Sequence, residues 1–181
     1  MNEAEDIYQR ASQACAQRSR QMVEHCLCVK IGEQKLYHFH HGKLVRVYVI
    51  STSVRPPSCL ANSLGTPTGL HVVADKIGAG APPGMVFKSR VPTGYQWQDA
   101  PESERVKNLV STRILRLRGL EAGVNAGPGC DSYDRFIYIH GTSHPELLGR
   151  PATAGCPVLQ DEEVIELFDR VPEGSVVWLE V

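Results

Sequence analysis

The chain has 181 residues, 42% of them hydrophobic and 22% charged, with a formal net charge of -1. That is enough chain to bury a core, too apolar for wholesale disorder, and too close to neutral for a surface built to hold nucleic acid. The six cysteines, Cys15, Cys26, Cys28, Cys59, Cys130 and Cys156, share no repeated spacing and no CxxC pair, which argues against a zinc ribbon or a disulfide-dense scaffold; free thiols are the simplest reading, with pairing of Cys26 or Cys28 open in an exported protein.

Residues 3–24 are rich in Glu, Gln, Ala and Arg and contain no Gly or Pro, which predicts a helix. Its apolar stripe, Ile7, Ala11, Ala14 and Val23, is thin, so residues 1–24 read as a helical appendage lying on a main domain of residues 25–181. The same stretch lacks a charged segment followed by an apolar one, and no run in the chain is long enough to span a membrane. The chain as written is expected in the cytosol, or in the periplasm or cell envelope if an export segment has been removed.

From His25 the pattern changes to short strands: HCLCVKI, QKLYHFH and KLVRVYVIS, the last two joined by a tight turn at His41-Gly42. His38 and His40 share a strand face, and with His41 and His71 they invite a metal reading. No Cys or carboxylate follows at a familiar ligand spacing, so no metal is expected. A turn at Thr66–Gly69 leads to strands at 69–74 and 84–88, and Tyr95 and Trp97 in GYQWQD either line a groove or close a loop. In the strand at 110–117, Arg113, Arg116 and Arg118 read as a wet face. A strand at 135–139 follows. Residues 161–171 carry Val164, Ile165, Leu167, Phe168 and Val171 at helical spacing, with Asp161 as N-cap, and a last strand covers 175–181. The fold class is mainly β, sandwich-like or barrel-like, with one C-terminal helix.

The stretch IHGTSHPELLGRPATAGCP places His140 where an apolar strand ends, and Cys156 on a glycine-bearing turn ahead of the helix. Thiols have a reference pKa of about 8.5, so an imidazole that accepts the proton and backbone amides near a helix N-terminus both favour thiolate chemistry.

These residues resemble the YkuD-type L,D-transpeptidase catalytic domain, whose signature is HGT, a gap, then Ser/Thr-His-Gly-Cys, a hydrophobic residue and Arg. Here His140-Gly141-Thr142 precedes Thr153-Ala154-Gly155-Cys156, with the cysteine 16 positions (156 minus 140) after the histidine. KLYHFHHGKLVRVYVIST, Thr66-Pro67-Thr68-Gly69, SYDRFIYIHGT and VIELFDRVPEGSVVWLEV are similar to further family elements, so about residues 25–181 are covered. The resemblance implies a β-sandwich with its C-terminal helix beside the catalytic turn. It implies Cys156 as nucleophile, His140 as base, the Gly141 carbonyl as orienting group, and the Gly155 and Cys156 amides as oxyanion hole. Thr142, Tyr138 and Thr153 are implied at the substrate, where Arg150 is also placed on its position between the two turns alone, with no metal or organic cofactor. The implied partners are peptidoglycan tetrapeptide stems or soluble muropeptides, and no nucleic acid. The implied reaction expels D-alanine through a Cys thioester, forming 3-3 cross-links in bacterial wall biogenesis or, with water, acting as an L,D-carboxypeptidase.

Two positions depart from the family pattern: Ala154 stands where His is usual, and Val158, after Pro157, where Arg is usual. Arg150 and His144, lying between the two turns, are candidates to replace that lost polarity. The departures also keep open a second class, a catalytically silent relative that binds wall peptide or another partner.

Overall fold

The computed structural model describes residues 2–181. Helix α1 spans Glu3–Gln17 and begins with a capping box: Asn2 accepts from the Glu5 amide at 2.9 Å, and the Glu5 carboxylate accepts from the Asn2 amide at 3.0 Å. Acidic Glu3, Glu5 and Asp6 in its first turn suit the positive end of the helix dipole. It stops short of the expected residue 24, because Ser19 turns to a left-handed conformation (φ 54°) and Val23 stays exposed. The thin stripe is nevertheless buried. Ile7, Ala11 and Cys15 pack on Cys26, Cys28, Tyr37, Phe39, Leu70 and Val176.

Those partners belong to a ten-stranded sheet. Strands β1 (His25–Lys30), β2 (Lys35–His40) and β3 (Lys43–Val49) form the expected antiparallel meander. The β2–β3 turn has φ of 48° at His41 and 74° at Gly42, the two left-handed residues of a hairpin whose twist matches its strands. The remaining strands are β4 (Gly69–Ile77), β5 (Met85–Lys88), β6 (Val91–Gln96), β7 (Ser111–Gly119), β8 (Tyr138–Gly141), β9 (Val158–Leu159) and β10 (Val176–Glu180). Their order is β3-β2-β1-β10-β4-β7-β5-β6, with β8 on β7 and β9 on β8. A bridge from Ser51, just past β3, to Val158 in β9 brings the sheet almost to closure. Two pairs, β1–β10 and β8–β9, are parallel, so the meander reading holds only for the first three strands. Strands β6 and β9 were not expected: β6 holds Pro92 and Gly94, and β9 is two residues long.

After the four-residue helix α2 (Glu102–Arg105), helix α3 (Asp161–Arg170) packs its Val164, Leu167 and Phe168 against Leu27, Leu36, Tyr48, Leu115, Ile139 and Leu159 from the curled sheet. Each such side chain contributes about 1.5–3 kcal/mol of burial, and Leu167→Ala would cost about 2–5 kcal/mol. Among the described residues no helix is long and apolar enough to cross a membrane.

The wet-face reading of β7 fails for two of its three arginines. Arg113 and Arg116 are buried, and only Arg118 is exposed. The guanidinium of Arg116 lies 3.3 Å from the Tyr133 ring centroid, and that of Arg113 donates to the Ala81 carbonyl at 2.8 Å. A planar cation that stacks on aromatic rings and bonds carbonyls can be housed where a lysine would not fit.

Candidate active site

Strand β7 bulges between Ser111 and Ile114, where Thr112 takes a left-handed φ of 69°. The bulge makes room for β8 to end in Tyr138-Ile139-His140-Gly141, with His140 paired to Ile114 on one side and Val158 on the other. The strand begins at Tyr138 and not at Arg135, because Phe136 is left-handed (φ 56°) and breaks the run. Gly141 has no room for a side chain. A Cβ there would lie 2.7 Å from Asp161 Oδ1 and 2.9 Å from the Ser111 carbonyl.

Asp161 itself is the first residue of α3 and not its cap. Gln160 holds that position without a side-chain bond, while the Asp161 carboxylate accepts from the Thr112 hydroxyl and, at 2.9 Å, from Trp97 Nε1. This tie anchors the start of α3 to the bulge beside Gly141. It also places Trp97 as a loop clamp.

His140 is almost wholly buried, and burial pushes its imidazole down to about 4 although the Gly141 carbonyl favours the charged ring. Nδ1 lies 2.7 Å from that carbonyl. A carbonyl can only accept, so Nδ1 carries the proton and Nε2 is left with its lone pair free.

Cys156 follows Gly155, whose φ of 132° favours glycine. Thr153 pins the turn: its hydroxyl donates to the Cys156 carbonyl at 2.8 Å and accepts from the Gly155 amide at 3.3 Å, while its backbone amide donates to the Thr52 carbonyl. The Cys156 sulfur accepts from the Tyr138 amide at 3.3 Å and donates to the Phe136 carbonyl at 3.5 Å. The residue keeps some solvent contact, yet dense protein around the sulfur pushes the thiol up to about 11, against the pull of the Tyr138 amide and the Arg135 charge. The expected lowering by a helix N-terminus is therefore absent. Strand β9 and Gln160 intervene between the cysteine and α3.

His140 and Cys156 line one cavity of about 480 Å³ together with Lys107, Asn108, Val110, Ala152, Thr153 and Ala154. That size suits a peptide-like ligand. Among the described residues no hydrogen bond joins the thiol to the imidazole; the thiol is held instead by the Tyr138 and Phe136 backbone. A second cavity, of about 330 Å³, shares Ala154 with the first and is lined by Asp131, Arg135 and Phe136.

The other expected site residues are scattered. Thr142 is buried, donating to Asn108 Oδ1 at 3.0 Å and accepting from the His144 amide. Tyr138 packs on Phe87 and Ile114, with its hydroxyl accepting from Arg90. Arg150 lines a different cavity beside Gln34 and Pro56, and His144 pairs with Glu146, so neither reaches the Cys156 cavity to replace the lost polarity. Lys107 and Asn108 supply polarity there instead, and Arg135 lines the adjoining cavity that shares Ala154. Nothing in their spacing marked Lys107 and Asn108, which precede β7 in a polar loop, and Arg135 entered the sequence reading only as the first residue of an expected strand.

The family described as YkuD, the L,D-transpeptidase catalytic domain, matches residues 24–179. Among solved structures, an L,D-transpeptidase from Mycobacterium smegmatis is 16% identical, with a TM-score of 0.53 over 90% of this chain and 61% of that one. L,D-transpeptidase 3 from Mycobacterium tuberculosis, in complex with a faropenem-derived adduct, is 14% identical, with a TM-score of 0.55 over 90% of this chain and 62% of that one. An L,D-transpeptidase from Xylanimonas cellulosilytica is 17% identical, with a TM-score of 0.55 over 98% of this chain and 79% of that one. The chain thus spans under two thirds of the length of the two mycobacterial structures. At such identity the likeness is one of fold. No curated protein matches the chain in sequence.

Proposed function

The chain belongs to the YkuD family of L,D-transpeptidase catalytic domains, and on that premise we propose that it is a cysteine acyltransferase acting on peptidoglycan tetrapeptide stems. The observation that carries this reading is the shared cavity, in which Cys156 faces the same space as a neutral His140 whose tautomer is set by Gly141.

In the proposed reaction the Cys156 sulfur turns from the Phe136 carbonyl toward His140, and Nε2 takes its proton. Sulfur then attacks the carbonyl of the L-configured diamino acid. The oxygen that becomes negative is met by the Cys156 amide, which has no hydrogen-bond partner among the described residues, and by the Gly155 amide once it leaves Thr153. The imidazolium returns the proton to the departing D-alanine amine as the C–N bond breaks, leaving a thioester. An amine of a second stem, or water, then attacks that thioester with His140 again accepting the proton, which regenerates the thiol. The amine yields a 3-3 cross-link and water yields carboxypeptidase activity.

A second reading, a silent relative that binds wall peptide, is favoured by the thiol pushed up to about 11 and by Ala154 and Val158 in place of the family's His and Arg. Intact-mass spectrometry after incubation with a carbapenem separates the two. The enzyme reading expects one adduct on the wild type and none on Cys156→Ala. Absence of adduct, with equally slow alkylation of both proteins by iodoacetamide, would transfer the assignment to the binding reading.

A further inference from the structure

Strand register brings together histidines that the linear spacing keeps apart. His25 in β1 is the registered partner of His40 in β2, and His38 lies two residues before His40 on the same face. The His25 and His40 rings stack at 4.4 Å between centroids, and His38 Nε2 lies 2.9 Å from His25 Nδ1. Glu24 precedes β1, where its carbonyl accepts from the His41 amide at 2.8 Å and closes the ladder next to the hairpin turn. One ligand atom each from Glu24, His25 and His40 lie within 4.8 Å of one another, and His41 Nε2 is 3.9 Å from the Glu24 carboxylate.

We propose that Glu24, His25 and His40 form a binding site for a borderline divalent transition metal, zinc in the first instance, with His38 as the residue that positions His25. Two imidazoles and one carboxylate make a donor set that suits zinc and its neighbours and offers too few oxygens for calcium or magnesium. Bonds of about 2.0–2.1 Å in a tetrahedron need donors roughly 3.4 Å apart, which the exposed Glu24 and His40 side chains reach by rotation. With Nδ1 of His25 engaged by His38, its Nε2 is the nitrogen left for the metal. That is the arrangement in which an outer hydrogen bond orients a ligand ring. His38 is 1% exposed, and among the described residues its Nδ1 is buried without a hydrogen-bond partner, so the one side-chain polar contact this costly residue makes there is the one that holds His25. The carboxylate missing from the sequence around YHFHHG comes from Glu24, the residue just ahead of the neighbouring strand β1. His71 takes no part: its ring bonds Gly69 and Ser132.

The test is zinc titration of the full, tag-free chain by calorimetry, with bound metal counted by mass spectrometry. One zinc per chain is expected, with affinity at least tenfold weaker in His40→Gln and His25→Ala, and a smaller loss in His38→Phe, which keeps the packing and removes the hydrogen bond. His40 is exposed, so its variant folds and the test stands even if His38→Phe does not. Cys156→Ser must bind as tightly as the wild type. The proposal is overturned by no saturable binding, by unchanged affinity in His40→Gln, or by loss in Cys156→Ser, which would place the metal on the thiol. Carbapenem acylation is read separately, so the two proposals fail independently.

Discussion

His71 in β4 and His140 in β8 are both buried, and burial pushes both rings down to about 4. They differ in what their nitrogens meet. His71 has partners for both, the Gly69 carbonyl at 3.1 Å and the Ser132 hydroxyl at 2.9 Å, and is a fully satisfied member of the sheet. His140 has a partner for one and turns the other face to a cavity that it shares with Cys156. A depressed pKa therefore identifies burial and not chemistry; the free nitrogen facing the cavity shared with the Cys156 thiol is what distinguishes His140 from His71 and carries its proposed role.

His140→Ala should slow carbapenem acylation of the folded protein by roughly 10²–10⁴-fold, whereas His71→Ala should leave it within a few-fold. The thiol at about 11 is only about 10⁻⁴ ionised at pH 7, so without a proton acceptor little nucleophile remains. Stopped-flow or timed mass spectrometry reads both rates, and equal rates for the two variants would remove His140 from the reaction.

The two histidines should reverse their ranking when stability is measured. His71→Ala leaves the Ser132 hydroxyl unpaired in a buried setting and should cost about 1–3 kcal/mol beyond the packing loss. Urea unfolding checks this.

Acid should treat them alike. His38, His71 and His140 each stand at about 4 in the folded chain against 6.5 for an ordinary histidine. As pH falls the unfolded chain takes up protons first, so the stability is fully present above pH 6.5 and is lost as pH approaches 4. Each histidine contributes on the order of 2–3 kcal/mol to that loss. Between pH 7 and 5 the midpoint of unfolding should fall while the acylation rate per folded molecule stays flat, because His140 remains neutral. A rate that drops through pH 6.5 would mean that its ring titrates as if in water.

The smallest effects test the cavity wall. Thr153→Val removes the hydroxyl that pins the Cys156 carbonyl and should slow acylation about tenfold with about 1 kcal/mol of stability lost. Lys107→Ala should weaken binding of an anionic stem peptide a few-fold, an exposed contact in high dielectric, with Arg150→Ala as the silent control on another cavity.

Much of this molecule was readable without coordinates. The first three strands, the tight turn at His41-Gly42 and the α3 stripe are all local: period-two or helical alternation, and a glycine at a turn between two strands. The extra strands β6 and β9, the burial of Arg113 and Arg116, and the tie from Asp161 to Thr112 and Trp97 are long-range, and no local pattern carries them. The site divides along the same line. That Cys156 and His140 are the candidates came from the resemblance carried by the HGT and Gly-Cys motifs at their spacing, which the sequence displays directly. That the thiol is held by Tyr138 and Phe136, that Arg150 faces elsewhere, and that Glu24, His25 and His40 converge depend on strand register, which is decided by how the whole sheet closes on its core and not by any one strand's residues.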